Sequence, residues 1–482
     1  YEMQRSLVGS EMCIRDSTLT ADNSATGKII VLGKMTLKDS STEKKGKIVA
    51  SQDYTAASYN GSLIEIAGED ASMTMESGNI SAVRKTPNSN GQYGVGVTDG
   101  GDFTMTGGKI EAGWFAVAGN GNYKTQNSII NITDGELIST ADYAVYLPQS
   151  GTTTISGGKV YGAAGGVCIQ RGTLNVEGTA LITSKGTGST GNWGDGTGGL
   201  DCAAINVSGA YGIATVNIKG GTLIAEAKSL ITEGTTYTPV INVTGGTFSD
   251  PSVLKYMATN ATVDIKLLSN INIAKTELAT GYILNAANAT ANLNLNGHDI
   301  INSSETADAT PFTQIFTVQN GTLNISGNGN VKCDASATAK DDGYRMVIEA
   351  RGHGTVNIHG GSYYNTQKLN TQIDLIYARE NGKINIYGGT FESGKYGTPN
   401  NDTDGRYWVL NLKNTDKNTA SIQVSGGTFI NFNPANPNMD DNESYLVTGY
   451  EVTRDGSVYT AAHKVNDGRK EYIVGPTSQE NR

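Results

Sequence analysis

Residues 384–391 read INIYGGTF. The first three alternate apolar, polar, apolar, as a strand buried on one face does. The two glycines fit a tight turn where a side chain would obstruct the chain. Thr390 and Phe391 then begin a second strand. The same phrase recurs as VNIKGGTL (216–223), INVTGGTF (241–248), VNIHGGSY (356–363) and IQVSGGTF (422–429). Looser copies are MTMESGNI (73–80), FTMTGGKI (103–110), INITDGEL (130–137), TTISGGKV (153–160), LNVEGTAL (174–181), LNLNGHDI (293–300) and LNISGNGN (323–330).

The first glycine position falls at 77, 107, 134, 157, 178, 220, 245, 297, 327, 360, 388 and 426, with spacings from 21 to 52. The short spacings set a repeat, and the long ones mark loop insertions. A third apolar run closes most repeats: WFAVAG (114–119), YAVYLP (143–148), CAAINV (202–207), QIFTV (314–318), RMVIEA (345–350), DLIYAR (374–379) and YWVLNL (407–412). Three short strands per repeat, with no helix-forming segment between them, predict an all-β, right-handed parallel β-helix. This solenoid has about twelve coils, and its hand follows the general preference for right-handed crossovers. Phe248, Tyr363, Phe391 and Phe429 should form an inward ladder. Asn131, Asn175, Asn217, Asn242, Asn294, Asn324, Asn357 and Asn385 should form an outward hydrogen-bonded row.

Composition agrees with that reading. Glycine numbers 62 of 482 residues, proline only 9, and charged residues are 17%. No apolar run approaches the ~20 residues that span a bilayer. The net charge of −10 argues against nucleic acid as a partner. Cys168, Cys202 and Cys333 have no metal-ligand spacing and read as buried free thiols, with a Cys168–Cys202 bridge as the alternative.

Residues 6–17, SLVGSEMCIRDS, resemble one translated frame of a tagmentation sequencing adapter. Residues 1–17 are therefore set aside from the fold and are expected to pack against nothing. They overwrite the place where a signal peptide would be read. The domain expectation is a first β-helix segment over 18–250 and a second over 251–433. A cap and tail follow over 434–482. Asp250 and Pro251 mark a short helix at the 250/251 break, running to Met257. Tyr450 to Ala461, with Asp455-Gly456 between alternating runs, predicts a hairpin over the last strand edge.

Repeats such as INIYGGTF and the phrase LNLNGHDI resemble the pectin-lyase-like β-helix proteins of gut bacteria and their phages. The resemblance covers most of residues 60–460. It implies an extracellular, cell-surface or virion protein that engages a polysaccharide or cell-surface glycan without cleaving it. An oligomer is compatible with such a chain. One alternative is a polysaccharide lyase or glycoside hydrolase acting on acidic polysaccharide; another is a purely structural spacer.

The hydrolases of the family carry Asn-Thr-Asp, Asp-Asp and Gly-His-Gly motifs in that order, about one coil apart. Here the strings are Asp341-Asp342, Gly352-His353-Gly354 and Asn414-Thr415-Asp416. Their order is different, and Asp342 lies only 11 residues before His353. The match is read as accidental, and no catalytic set is assigned. Lyases of this fold imply calcium, for which the acidic loops are Asp402/Asp404 and Asp440/Asp441/Glu443. These read as solvated charge, and no metal or other cofactor is expected.

The candidate binding face comes from offsets. Arg351 and Arg379 each lie nine residues before a repeat glycine, Gly360 and Gly388. Glu349 and Tyr377 match in the same way, and Tyr407 and Trp408 open the next equivalent strand. With Ile348, Ala350, Ile376 and Ala378 inward, Glu349, Arg351, Tyr377, Arg379, Tyr407 and Trp408 should share one outward face. Arginine forks suit carboxylates and aromatic rings suit the apolar faces of sugars. A Glu349–Arg379 surface salt-bridge ladder is the plainer reading of the same residues. The Gly-rich loop 183–201, carrying Trp193, is the other candidate surface.

Overall fold

The computed structural model describes residues 10–13, 18–21, 28–50, 61–83, 92–121, 125–190, 197–233, 236–273, 281–302, 312–333, 344–365, 373–393, 407–437 and 444–464. Among them the protein is all-β, with helix confined to short 3-10 turns. Successive repeats pair in parallel. The chain divides into two compact units, Tyr1–Ser269 with Asn285–Asn294, and Asn270–Leu284 with Leu295–Arg482.

In the first unit, the third strand of each repeat adds to one parallel eight-stranded sheet, from Ile29–Val31 through Tyr143–Leu147 to Lys228–Glu233. Its register aligns Ile64, Val95, Val117, Val145, Val167, Ile205 and Leu230. All are buried. The strands after the glycine turn align a second apolar row, Ile80, Ile110, Leu137, Val160, Ile182, Leu223 and Phe248. Each such side chain contributes about 1.5–3 kcal/mol on leaving water. In LNVEGTAL the inward position is Ile182, one residue beyond the quoted repeat. Leu181 is half-buried.

In the second unit the strands after the glycine turn run from Ile271–Ile273 to Thr428–Ile430. Tyr363, Phe391 and Phe429 lie in register there. Their rings stack at centroid separations of 5.0 Å in both pairs, and all three are fully buried. This is the expected inward ladder for three of the four residues; Phe248 lies instead in the first unit's row, in register with Leu223 and Ile265. The glycine turn that precedes the ladder is sterically required. A Cβ on Gly426 would lie 2.1 Å from the Tyr387 carbonyl oxygen, and Gly427 adopts φ 101°. L-residues with side chains rarely adopt that conformation.

The outward amide row also forms. In the first unit Thr104, Asn131, Thr154, Asn175, Asn217 and Asn242 occupy one register position. Asn242 Nδ2 donates to Asn217 Oδ1 at 3.0 Å, and Asn217 Nδ2 to Asn175 Oδ1 at 3.0 Å. In the second unit Asn385 Nδ2 donates to Asn357 Oδ1 and Asn357 Nδ2 to Asn324 Oδ1, both at 2.8 Å.

Two local expectations hold. Pro251–Tyr256 is a 3-10 helix rather than an α-helix, capped by Asp250 Oδ1 accepting from Ser252 N at 2.9 Å. Tyr450–Asp455 and Val458–His463 form the hairpin, and its second strand pairs antiparallel with Thr428–Ile430. One expectation fails. Ser10–Cys13, inside the adapter-like segment, runs parallel to the strand Lys34–Lys38, with Ser10 opposite Met35. A strand with unpaired N–H and C=O groups accepts any extended neighbour, whatever its origin. Cys168, Cys202 and Cys333 are buried free thiols, so the alternative bridge is not formed.

Candidate functional site

The proposed face lies on the strands that close the second unit's repeats: Phe312–Ser326, Tyr344–Ile358, Ile373–Ala378 and Tyr407–Leu412. The offset argument places Glu349, Arg351, Tyr377 and Arg379 in the right rows, but not Trp408, which lies opposite the buried Asp374 and shares its inward parity. Thr317, Glu349, Tyr377 and Asn411 are mutual register partners across four strands. Ala350 pairs with Ala378, which sets Arg351 and Arg379 on neighbouring repeats.

Depth is where the expectation needs correcting. Glu349 is not on the exposed face: its side chain is 2% exposed, against 25% for Arg379 and 32% for Arg351. Arg379 Nε donates to Glu349 Oε1 at 2.6 Å. Gln314 Nε2 and Thr317 Oγ1 donate to Oε2 at 3.3 and 3.5 Å, and Arg351 Nε lies 4.0 Å from the same oxygen. A carboxylate supplied with this many donors can leave water without a prohibitive cost. The Arg379 guanidinium also reaches outward, its Nη1 lying 2.5 Å from Glu380 Oε1.

Asp374 is a second buried carboxyl that the offset reasoning passed over. It is in register with Trp408 on one side and Met346 on the other. Asn411 Nδ2 donates to its Oδ1 at 2.8 Å. Burial pushes its pKa up to about 7; the Asn411 hydrogen bond opposes that shift and the nearby Glu349 charge adds to it. The same crowding acts on Tyr377, which is half-buried. Its phenol is pushed up to about 12, chiefly by burial and then by the Asp374 charge. Tyr445 is buried, and burial followed by the Asp374 charge raises its phenol too.

A signal for Asp374 was present in the sequence. In DLIYAR it has the parity of Ile376 and Ala378, the inward positions. A charge at such a position is a core carboxyl. Thr317 and Gln314 were readable from their place in QIFTV beside RMVIEA. Asn411 and Tyr445 had no comparable signal.

The remaining sequence candidates separate clearly. Trp408 is half-buried. Tyr407 begins its strand opposite Ile373, and its side chain lies outside the described residues. Trp193, Asp341, Asp342, Asp402, Asp404, Asp440, Asp441 and Glu443 also lie outside them. His353 is exposed beside Gly352. Asn414–Asp416 forms a 3-10 turn, where Asp416 Oδ2 accepts from Glu380 N at 2.7 Å. That hydrogen bond is the main cause holding the Asp416 carboxyl below its usual range. Among the described residues, no group of three or more His, Cys, Asp or Glu side chains is placed to hold a metal ion. No helix among them is long and apolar enough to cross a membrane.

No known family, curated protein or solved structure matches the chain.

Chemically, the cluster has a committed interior and a more open rim. Glu349 has both oxygens engaged and Asp374 is held by Asn411. Arg351, by contrast, is one-third exposed and touches Glu349 only at 4.0 Å. Tyr377, in register with Glu349 on the next repeat, stands half-buried near it, while Trp408 lies further along, opposite Asp374. The rim can offer a guanidinium fork and aromatic surface; the interior holds that rim rigid.

Proposed function

We propose that the three strand ladders close into a right-handed parallel β-helix of the pectin-lyase-like type. We further propose that this scaffold engages a glycan outside the cell, on a bacterial surface or a virion, without cleaving it. One observation carries the reading. Arg351 and Tyr377 stand on neighbouring repeats beside a carboxylate, Glu349, that Arg379 already satisfies. The strands lie about 4.8 Å apart, so these side chains form a fixed polar and aromatic surface. Arg351 would pair with a carboxylate or sulfate on the glycan, and the Tyr377 ring would cover an apolar sugar face. Glu349 is a poor candidate for a nucleophile or base, because its lone pairs are spent on donors.

The test is a glycan array followed by affinity measurement. Arg351→Ala should weaken the best ligand about tenfold, the loss expected for one charge-assisted hydrogen bond, while unfolding stays within about 0.5 kcal/mol of the parent. Equal affinity would remove this face from the account.

The competing reading is a glycoside hydrolase or polysaccharide lyase. Asp374 favours it, because a carboxyl poised near neutrality is what general acid–base chemistry requires. Product release from an acidic polysaccharide, abolished by Asp374→Asn, would establish that reading instead.

A further inference from the structure

The amide row of the first unit has a direction and an end. Asn175 Nδ2 donates to Thr154 Oγ1 at 3.4 Å, Asn217 to Asn175, and Asn242 to Asn217. Each member passes its donor to the preceding repeat and offers its oxygen to the next. Asn242 is the last amide, because the strand that would follow is replaced by the 3-10 helix Pro251–Tyr256. There the chain meets Val240–Val243 by one bridge, Val243 to Met257, before Thr262–Lys266 pairs with Thr247–Phe248. Asn242 Oδ1 therefore ends the row with no donor bonded to it among the described residues. Hydrogen bonds in such a chain polarise one another, which strengthens the terminal acceptor.

That oxygen belongs to a residue lining an open cleft. Asn242, Lys255, Tyr256, Thr232 and Pro239 surround about 590 Å³ of space, counted out to solvent. Near Pro239 in the chain, Tyr237 and Val240 are exposed, at 46% and 47%. Tyr256 is fixed by a hydrogen bond of 3.1 Å between its hydroxyl and Thr232 Oγ1. Lys255 Nζ rests 4.7 Å from the centre of the Tyr256 ring. Lys255 is exposed, and no carboxylate among the described residues lies within ion-pair distance of it. A cation held against an aromatic face, beside a terminal acceptor in a concave site, matches a ligand that carries both an anionic group and hydroxyls.

We propose that this cleft binds an anionic polysaccharide, with Lys255 pairing with its carboxylate or sulfate and Asn242 Oδ1 accepting a sugar hydroxyl. The site is separate from the Arg351 face and does not depend on it.

The experiment uses the full chain and three immobilised polymers: polygalacturonate for carboxylate, heparin for sulfate, and dextran as the neutral control. The parent should bind at least one anionic polymer and not dextran. Lys255→Gln and Asn242→Ala should each lose about tenfold in affinity for it, with the unfolding midpoint of Lys255→Gln unchanged. Lys34→Gln, at an exposed lysine outside the cleft, should leave this affinity intact, which ties the loss to the cleft rather than to net charge. The proposal is overturned if the parent binds neither anionic polymer, if it binds dextran equally well, or if Lys255→Gln binds like the parent.

Discussion

Arg379 Nε sits 2.6 Å from Glu349 Oε1 and joins neighbouring repeats through a carboxylate that is 2% exposed. The pair differs from an exposed ion pair, which is worth about 0–1 kcal/mol. Losing one partner of a buried pair leaves the other charge uncompensated, at about 3–5 kcal/mol. Arg379 is a quarter exposed and Arg351 remains nearby, so the cost here should be smaller. Arg379→Ala is expected to lower stability by about 2 kcal/mol in urea unfolding. The double variant Arg379→Ala with Glu349→Leu should recover part of that loss. No recovery would mean that Arg379 acts through packing alone.

Asp374 makes stability depend on pH in the direction opposite to a salt-bridged carboxylate. Its pKa in the folded protein is about 7, against about 3.9 in an unfolded chain. Between those values the folded state binds the extra proton, so stability falls as pH rises through 7 and levels off above it. Glu233, also raised by burial, adds a slope of the same sign. The difference between parent and Asp374→Asn isolates the Asp374 part, which is of the order of 2–4 kcal/mol between pH 4 and pH 8. Parallel curves for the two proteins would place Asp374 in water.

The amide row should be worth more in its middle than at its end. Asn357 both donates to Asn324 and accepts from Asn385, each at 2.8 Å. Asn357→Ala removes two bonds and is expected to cost about 1–3 kcal/mol. Asn385→Ala removes one described bond and should cost about half as much. Equal costs in chemical denaturation would show that the row does not act as a chain.

The C-terminal hairpin guards an edge. Val458–His463 covers Thr428–Ile430, which would otherwise present unpaired backbone groups. A chain ending at Gly449 should associate in a concentration-dependent way. Light scattering that matches the full chain would show that the edge is protected by other means.

The repeat phrase made the rows legible but not their depth. Tyr363, Phe391 and Phe429 could be stacked from their distance to the glycine turn, because that turn fixes the strand's start. The same offsets aligned Glu349 with Tyr377 and Arg351 with Arg379. They could not say that Glu349 would be buried, because depth depends on donors from Gln314 and Thr317 on another repeat. LNVEGTAL has a single glycine and an extra residue before its inward position, so its row falls on Ile182. The Asn242 cleft was unreadable, since it arises where a helix interrupts the pattern rather than where the pattern repeats.

The central claim is that the rim around Glu349 holds a glycan and leaves it whole. The most direct measurement compares the affinity of the parent and Arg351→Ala for the best array ligand, with the recovered glycan sized by mass spectrometry. The account predicts affinity about tenfold weaker in the variant and a glycan of unchanged length. Equal affinities, or shortened glycan from the parent, would contradict it.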